Sequence, residues 1–194
     1  MRLRYVIQRY GAEVAGGAEV HCRHFATRLV ARGHEVEVLT SCARDHVGWA
    51  NVYPAGVSEL DGVSVRRLPV GRHPDPGVFS RLNGRANRAG AFVPAGLARR
   101  WITEQGPVLP DLRGVLAEGA GDVDVTVFFT YLFWPTWAGL PVAAATGPTV
   151  LHPTAHDEAA LGLPLYDTTF THPDAFAFSS PEEADLVRRR RHPH

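Results

Sequence analysis

Two imidazoles and two carboxylates lie within seven residues of the chain, in the segment His152–Glu158. His152 and His156 have the four-residue spacing with which a helix presents two zinc ligands, but Pro153 disfavours a helix there. We therefore expect no metal. The segment predicts instead that His156, supported by the adjacent carboxylate of Asp157, contacts a polar ligand at the end of a strand. A hydrogen-bonded loop without a ligand explains the same residues equally well.

A second candidate site is the glycine pair Gly16 and Gly17, which precedes a helical pattern. Glycine lets the backbone approach a phosphate closely, and the helix that follows offers its free amides to it. The spacing is not the GxGxxG of dinucleotide-binding proteins, so a plain turn between a strand and a helix is the alternative. If the pair binds a diphosphate, valine at either glycine should weaken binding while the domain stays folded.

Composition excludes several classes of enzyme. All 20 basic residues among the 194 are arginine, so no lysine can form a Schiff base, serve a Walker-A loop or act as nucleophile. The GxSxG motif of serine hydrolases is also missing. Cys22 and Cys42 lack zinc-type spacing and fit a reducing compartment. Asp122 and Asp124 have the spacing of a metal-binding DxD motif, but they precede a strand instead of ending one, and we set them aside.

Charge is balanced in total, with 20 acidic residues against the 20 arginines, but not along the chain. Eight arginines, including Arg81 and Arg85, and one acidic residue lie between Val63 and Thr103. The balanced total predicts no nucleic-acid partner. The basic segment predicts contact with an anionic acceptor or a membrane surface, and a solvated face is the simpler interpretation. The segment also carries three aromatic residues, Phe79, Phe92 and Trp101.

The candidate residues lie between predicted strands and helices that alternate along the chain. Helical patterns run from Ala18 to Gly33 and over Thr136–Ala145, and a third begins at Pro181 with Ser180 as the N-cap of that helix. Weaker helical patterns cover residues 91–105 and 111–118. Such alternation predicts an α/β fold, a doubly wound, mostly parallel Rossmann-like sheet with helices on both faces. The strand patterns cover Leu3–Gln8, Val36–Thr40, Val63–Leu68, Val123–Thr130, Thr149–Leu151 and Phe176–Phe178.

One long stretch, Val125–His156, contains no Asp, Glu or Arg. Prolines and glycines interrupt it before any run of about 18 apolar residues is reached, so it predicts a buried core and not a membrane span. The first strand is too short for the core of a signal peptide. These features predict a cytoplasmic protein, located at the inner face of the membrane if the basic segment contacts lipid.

Two blocks of the sequence carry a resemblance to a known family. Gly16–Glu19 entering a helix, followed by Leu29–Thr40, resembles the opening of GT-B glycosyltransferases of the large retaining family 4. Pro148–Glu158, followed by Asp174–Glu183, is similar to the end of the N-terminal domain of that family. The order of these blocks is more specific than any one of them, and together they span nearly the whole chain.

The resemblance implies a two-domain enzyme that transfers a sugar from a nucleotide sugar to a sugar or lipid-linked acceptor with retention. Residues 1–187 would form its acceptor-side N-terminal domain, and the arginine-rich tail 188–194 lies where the donor-binding domain should begin. We therefore expect this chain, truncated before that domain, to be inactive alone. No metal and no covalently bound cofactor are expected. The alternative is a stand-alone Rossmann-like binding module, or a partner subunit without catalysis of its own.

The resemblance also implies roles for particular residues. Gly16 and Gly17 would lie near the donor diphosphate, and His156 with Asp157 near the transferred sugar. The leaving diphosphate itself is proposed to assist the attack in this family, so no protein nucleophile is expected here. The residues expected to shape the acceptor side are Tyr131, Trp134, Arg81 and Arg85.

Overall fold

A computed structural model describes residues 1–118 and 121–191. Its seven strands form one sheet in the order β3-β4-β2-β1-β5-β6-β7. Every neighbouring pair is parallel except β3 with β4. The predicted doubly wound, mostly parallel α/β fold is thereby confirmed. The strands are β1 (Arg2–Val6), β2 (Glu35–Ser41), β3 (Gly56–Leu60), β4 (Val63–Leu68), β5 (Val125–Phe129), β6 (Thr149–His152) and β7 (Ala175–Phe176).

Helices cover both faces of the sheet because successive strand residues point to opposite sides. Tyr5 of β1 and Val38 of β2 pack towards the first helix, whereas their neighbours Val6 and Leu39 pack in the cluster built by the later helices. The α-helices are α1 (Gly17–Val30), α2 (Pro76–Ala89), α3 (Ala95–Gln105), α4 (Leu112–Glu118), α5 (Trp134–Ala144), α6 (Asp167–Thr171) and α7 (Pro181–Arg191). None of those described is both long and apolar enough to cross a bilayer.

The strand order reverses between β1 and β5. From β1 the chain proceeds to β2 on one side of the sheet, and from β5 it proceeds to β6 on the other side. Open α/β sheets bind their ligands beyond the carboxyl ends of strands at such a point. Gln8 follows β1 and Thr130 follows β5, and the Thr130 hydroxyl donates to Gln8 Oε1 over 3.0 Å. Both side chains are buried. These two buried side chains therefore form the floor at the switch point, and a ligand bound there would lie on their solvent side.

The structure contains one hairpin that the sequence analysis missed. Asp61 and Gly62, with φ of +53° and +77°, form a two-residue turn that returns β3 antiparallel onto β4. An Asp-Gly pair is a strong hairpin signal. Strand β3 escaped notice because it is an exposed edge strand without the alternation of apolar residues that marks a half-buried one.

The basic middle segment also differs from the prediction, which placed one helix near 91–105. Two helices, α2 and α3, are separated by a short turn over residues 90–94. Asp75 caps α2 by accepting from the Val78 amide over 2.9 Å, and Pro76 occupies the first helical position. This pair of residues is a sequence signal for a helix start. The predicted helix at 111–118 is confirmed as α4.

Helix α7 begins as predicted, with the Glu183 amide donating to Ser180 Oγ over 3.2 Å. It continues through the arginines 188–191, which form its last turn, where positive charge suits the helix dipole. Arg190 and Arg191 also pack against the rest of the domain, so the folded unit extends beyond the boundary predicted at 187. The last three residues of the predicted tail, 192–194, lie outside the described residues.

Candidate functional site

A groove of about 460 Å³ lies at the carboxyl edge of the sheet, between the starts of α1 and α7 and the loop after β6. It brings together Gly17, His156 and Asp157, three of the residues that the sequence analysis singled out. A second groove, of about 250 Å³, shares Ala18, Thr154 and His156 with the first and reaches Gln8 and Thr130 at the switch point. The first groove is lined by Gly17, Ala18, His21, Thr154, Ala155, His156, Asp157, Ser179, Ser180, Glu182, Glu183 and Leu186.

The start of α1 differs from the starts of α2 and α7. Its N-cap is Gly16, which has no side chain to accept from the first-turn amides. A Cβ atom on Gly17 would meet no atom within 4 Å, so this position faces open space in the groove. The free amides and the positive end of the α1 dipole are therefore available to an anion.

Gly16 itself has a different role. A Cβ atom there would overlap the Glu19 carboxylate. That carboxylate is buried and accepts from Gln8 Nε2 over 3.0 Å and from Arg9 Nε over 2.8 Å. Valine at Gly16 would break these bonds, which corrects the expectation that either glycine tolerates substitution. Glu19 was missed in the sequence, although an acidic third residue of a helix is a known signal.

The loop that carries His156 leaves the sheet with an unusual backbone. Thr154 follows β6 with φ of +50°, and Thr130 follows β5 with φ of +64°. Residues other than glycine rarely adopt a positive φ. Those that do concentrate at functional sites, where the surrounding structure holds the backbone in place. Two of them at neighbouring strand ends support the assignment of this edge as the site.

Glu183 holds the loop in place. Its carboxylate is buried and accepts from the Ala155 amide through Oε1 and from the Ser179 amide through Oε2, each over 2.7 Å. One side chain thus links the loop after β6 to the segment before α7. No local pattern marks this role, because the two amides lie 28 and 4 residues away along the chain.

His156 and Asp157 are both exposed in the groove, but they do not support one another. The Asp157 carboxylate pairs with Arg190 Nη2 over 3.3 Å. Among the residues that the structure describes, none makes a hydrogen bond to the His156 ring. The expected carboxylate support for the imidazole is therefore wrong: Asp157 anchors the loop to α7, and both ring nitrogens of His156 are left available to a ligand.

His152 lies below the groove and not in it. Its Nε2 is 3.4 Å from His21 Nδ1 and 3.4 Å from Ser179 Oγ, and its Nδ1 bonds to the Ala177 carbonyl. Burial lowers the pKa of His152, and the neighbouring His21 lowers it further. Within residues 1–118 and 121–191, no three His, Cys, Asp or Glu side chains are grouped as metal ligands would be.

The four residues predicted for the acceptor side do not come together. Tyr131 is only 1% exposed, and its hydroxyl donates to Glu158 Oε1 over 2.7 Å. Burial and this carboxylate raise the pKa of Tyr131, so the side chain supports the loop from below as a protonated phenol. Trp134 is half-buried at the start of α5. Arg81 and Arg85 are exposed on α2 and line neither groove.

A third groove, of about 410 Å³, was missed by the sequence analysis. It shares His46, Leu132 and Phe133 with the second groove and is otherwise lined mainly by apolar side chains, among them Phe79 and Trp49. Its walls come from four separate segments of the chain, which explains why no sequence pattern marks it. The three grooves together run from the start of α1 to the start of α2.

A family model described as a glycosyl transferase 4-like domain matches residues 16–194. The chain belongs to this family. Among solved structures, this glycosyl transferase 4-like domain is similar to sucrose-phosphate synthase from Thermosynechococcus elongatus, with 14% identity and a TM-score of 0.57. The match covers 98% of this chain and 45% of the synthase chain, so the domain spans less than half the length of that protein. A search of curated proteins found no match.

The family match confirms the resemblance seen in the two sequence blocks, an N-terminal domain of the GT-B, family 4 type. At 14% identity the likeness to the synthase shows the fold alone. The fold places the grooves at the edge of the sheet where doubly wound domains hold their ligands.

Proposed function

We propose that this domain forms the acceptor-side half of a site that transfers a sugar, with retention, from a nucleotide sugar to an acceptor. The observation that carries the proposal is the first groove, where the uncapped start of α1 and the exposed His156 face the same space. An anion-binding helix start beside an available imidazole suits a donor that joins a diphosphate to a sugar.

The diphosphate of the donor binds at Gly17 and Ala18. The first-turn amides donate to its oxygens, and the α1 dipole favours its charge. The Glu19 carboxylate would repel it, but Arg9 pairs with that carboxylate and offsets its charge. Gly17 lacks a side chain where the phosphate must approach, and this is the physical reason for glycine at that position.

His156 contacts the transferred sugar. Its ring nitrogens make no hydrogen bond with any described residue, so they can bind sugar hydroxyls as charge develops during transfer. Asp157 is a positioning residue, because it acts on the loop through Arg190. Neither residue is a covalent nucleophile in this proposal. We also propose that transfer at this site needs no metal.

The acceptor, a sugar or a lipid-linked sugar, enters from the third groove. Phe79 and Phe133 line it and offer aromatic faces to the apolar side of a sugar ring or to a lipid chain. The first groove stays open to solvent at His156 and Asp157, whereas ligand sites usually enclose most of their ligand. We therefore propose that a second, donor-binding domain completes the site.

The test titrates the ¹⁵N-labelled chain with inorganic pyrophosphate, UDP-glucose and GDP-mannose. We expect all three to shift the amide resonances of Gly17 and Ala18, and the two nucleotide sugars to shift His156 as well. Gly17→Val should weaken pyrophosphate binding at least about tenfold, because the added side chain holds the anion away from the amides.

Gly96→Val is the matched control, since Gly96 lies in the first turn of α3 and its Cβ would also meet no atom within 4 Å. Normal binding by the Gly17 variant would show that the glycine pair is only a turn. The same chain, mixed with nucleotide sugars and acceptors, should form no product. Robust turnover would contradict the need for a second domain.

A further inference from the structure

Helices α2 and α3 form a hairpin whose tip is apolar and exposed. The tip comprises residues 91–96, Ala-Phe-Val-Pro-Ala-Gly, and five of the six are exposed. Phe92 is 92% exposed, more than any other large apolar side chain of the described residues. Val93 is buried and anchors the tip. Contact of a phenylalanine ring with water is unfavourable, and this cost is removed when another apolar surface covers the ring.

The two other aromatic residues of this segment do not belong to the tip. Trp101 is buried, and its Nε1 donates to Asn83 Oδ1 over 3.0 Å, which joins α3 to α2. Phe79 packs 6.2 Å from the Trp101 ring, measured between ring centroids. Both therefore hold the hairpin together, and Phe92 alone points away from it.

Arginines lie on both helices that carry the tip. Arg81, Arg85 and Arg88 follow one another at spacings of four and three, which places them on one face of α2. Arg99 and Arg100 lie on α3, and no acidic residue occurs from Pro76 to Thr103. All five arginines are exposed, and none forms an ion pair with another residue that the structure describes.

The apolar surface continues from the tip into the domain. A groove of about 330 Å³ is lined by Val93, Ala95 and Arg99 from the hairpin and by Trp137 and Leu165 from the neighbouring elements. It has Arg99 at one wall and is distinct from the three grooves of the candidate site. Val93 and Ala95 thus join the tip and this groove into one apolar surface, on the two helices that carry the arginines.

We propose that this surface docks on an anionic membrane. Phe92 enters the boundary between headgroups and acyl chains, and the five arginines bind the lipid phosphates. The tip has no side chain that donates or accepts a hydrogen bond, so it suits acyl chains better than the bases of a nucleic acid. The surface needs no donor domain, and its test is therefore independent of the proposed transfer activity.

The test measures co-sedimentation of the 194-residue chain with vesicles. We expect it to bind equal mixtures of phosphatidylglycerol and phosphatidylcholine at low salt, to leave them at about 0.5 M NaCl, and not to bind phosphatidylcholine alone. The double variant Arg81→Glu, Arg85→Glu should lose at least about tenfold in affinity, because each arginine near an anionic surface contributes a several-fold factor.

The matched control is Arg28→Glu, Arg32→Glu, which changes the net charge equally at two other exposed arginines. It should bind the anionic vesicles nearly as well as the unaltered chain. Equal losses in the two double variants would overturn the proposal, since they would show attraction by net charge alone. Failure of the unaltered chain to sediment with anionic vesicles at low salt would overturn it too.

Phe92→Asp tests the insertion of the tip. We expect about tenfold weaker binding to anionic vesicles, whereas Val57→Asp, at a residue 64% exposed on β3, should change little. Equal binding by both variants would rule out insertion at the tip. Preference for single-stranded RNA over vesicles, lost in the Arg81 and Arg85 variant, would assign the surface to nucleic acid instead.

Discussion

At the scale of single residues, Glu183 connects parts of the site that are distant in sequence. Its two carboxylate oxygens each accept from one backbone amide, at Ala155 and at Ser179. A carboxylate can accept in both places, whereas an amide side chain can accept at only one and must direct its NH₂ group at the other amide. The position therefore requires a carboxylate and not just a polar side chain.

We expect Glu183→Gln to lower the free energy of unfolding by about 2 kcal/mol, because one hydrogen bond to a charged acceptor is lost at a buried amide. Urea denaturation measures this change. Amide exchange at Ala155 should also become faster, since the loop loses its anchor. Glu182→Gln is the control: Glu182 is exposed one residue earlier in the same helix turn and should leave the midpoint near the original value. Equal effects of both substitutions would contradict the role of Glu183.

At the scale of elements, α2 connects two surfaces of the domain for which we propose functions. Its first turn supplies Pro76 and Phe79 to the third groove, and its last turn leads into the tip at Phe92. With 14 residues, α2 is about 21 Å long. The third groove and the tip therefore lie at opposite ends of α2.

The pairing of α2 with α3 depends on the bond between Asn83 and Trp101. Asn83→Ala leaves the buried indole N–H without an acceptor, and we expect a loss of about 1–2 kcal/mol in the free energy of unfolding. Asn87→Ala is the matched control, because Asn87 is exposed one turn later on the same helix. It corrects for the higher helix propensity of alanine. Thermal or urea unfolding of the two variants measures the difference, which would vanish if the indole bond were unimportant.

At the scale of the whole molecule, α7 closes the domain over the loop after β6. Arg190 binds Asp157, and Arg191 donates to the Leu163 carbonyl over 2.6 Å and pairs with Asp167 over 2.8 Å. The Arg191 guanidinium also lies 5.1 Å from the centre of the Phe170 ring. The last turn of α7 therefore holds much of the chain between β6 and β7 in place.

We expect Arg191→Ala to lower the free energy of unfolding by about 2 kcal/mol, through lost packing of the stem and lost bonds to the Leu163 carbonyl. The side chain is 6% exposed, so solvent does not replace these contacts. Arg189→Ala, at an exposed neighbour with no ion pair to a described residue, should be nearly silent. A small effect at Arg191 would mean that the domain is complete without the last turn of α7.

Local sequence patterns suffice to predict those elements whose residues carry their own signal. Short apolar, β-branched or aromatic patterns marked six of the seven strands, the helical repeat marked α1, and Ser180 marked the start of α7. Because ligands of such sheets bind at the strand ends, the sequence also pointed to Gly17 and His156 as residues of one site. The predictions of strands and helices were confirmed because periodicity and caps are local, and a few neighbouring residues suffice to express them.

The partners of the polar side chains, in contrast, follow from the packing of the folded domain. Asp157 binds Arg190 and not His156, Tyr131 is buried beneath the loop, and Glu19 fills the space that makes Gly16 necessary. The first and second grooves likewise combine segments more than a hundred residues apart. A hydrogen bond depends on the position of both partners in space, and for residues so far apart along the chain that position is set by how the helices pack on the sheet, which no local pattern encodes.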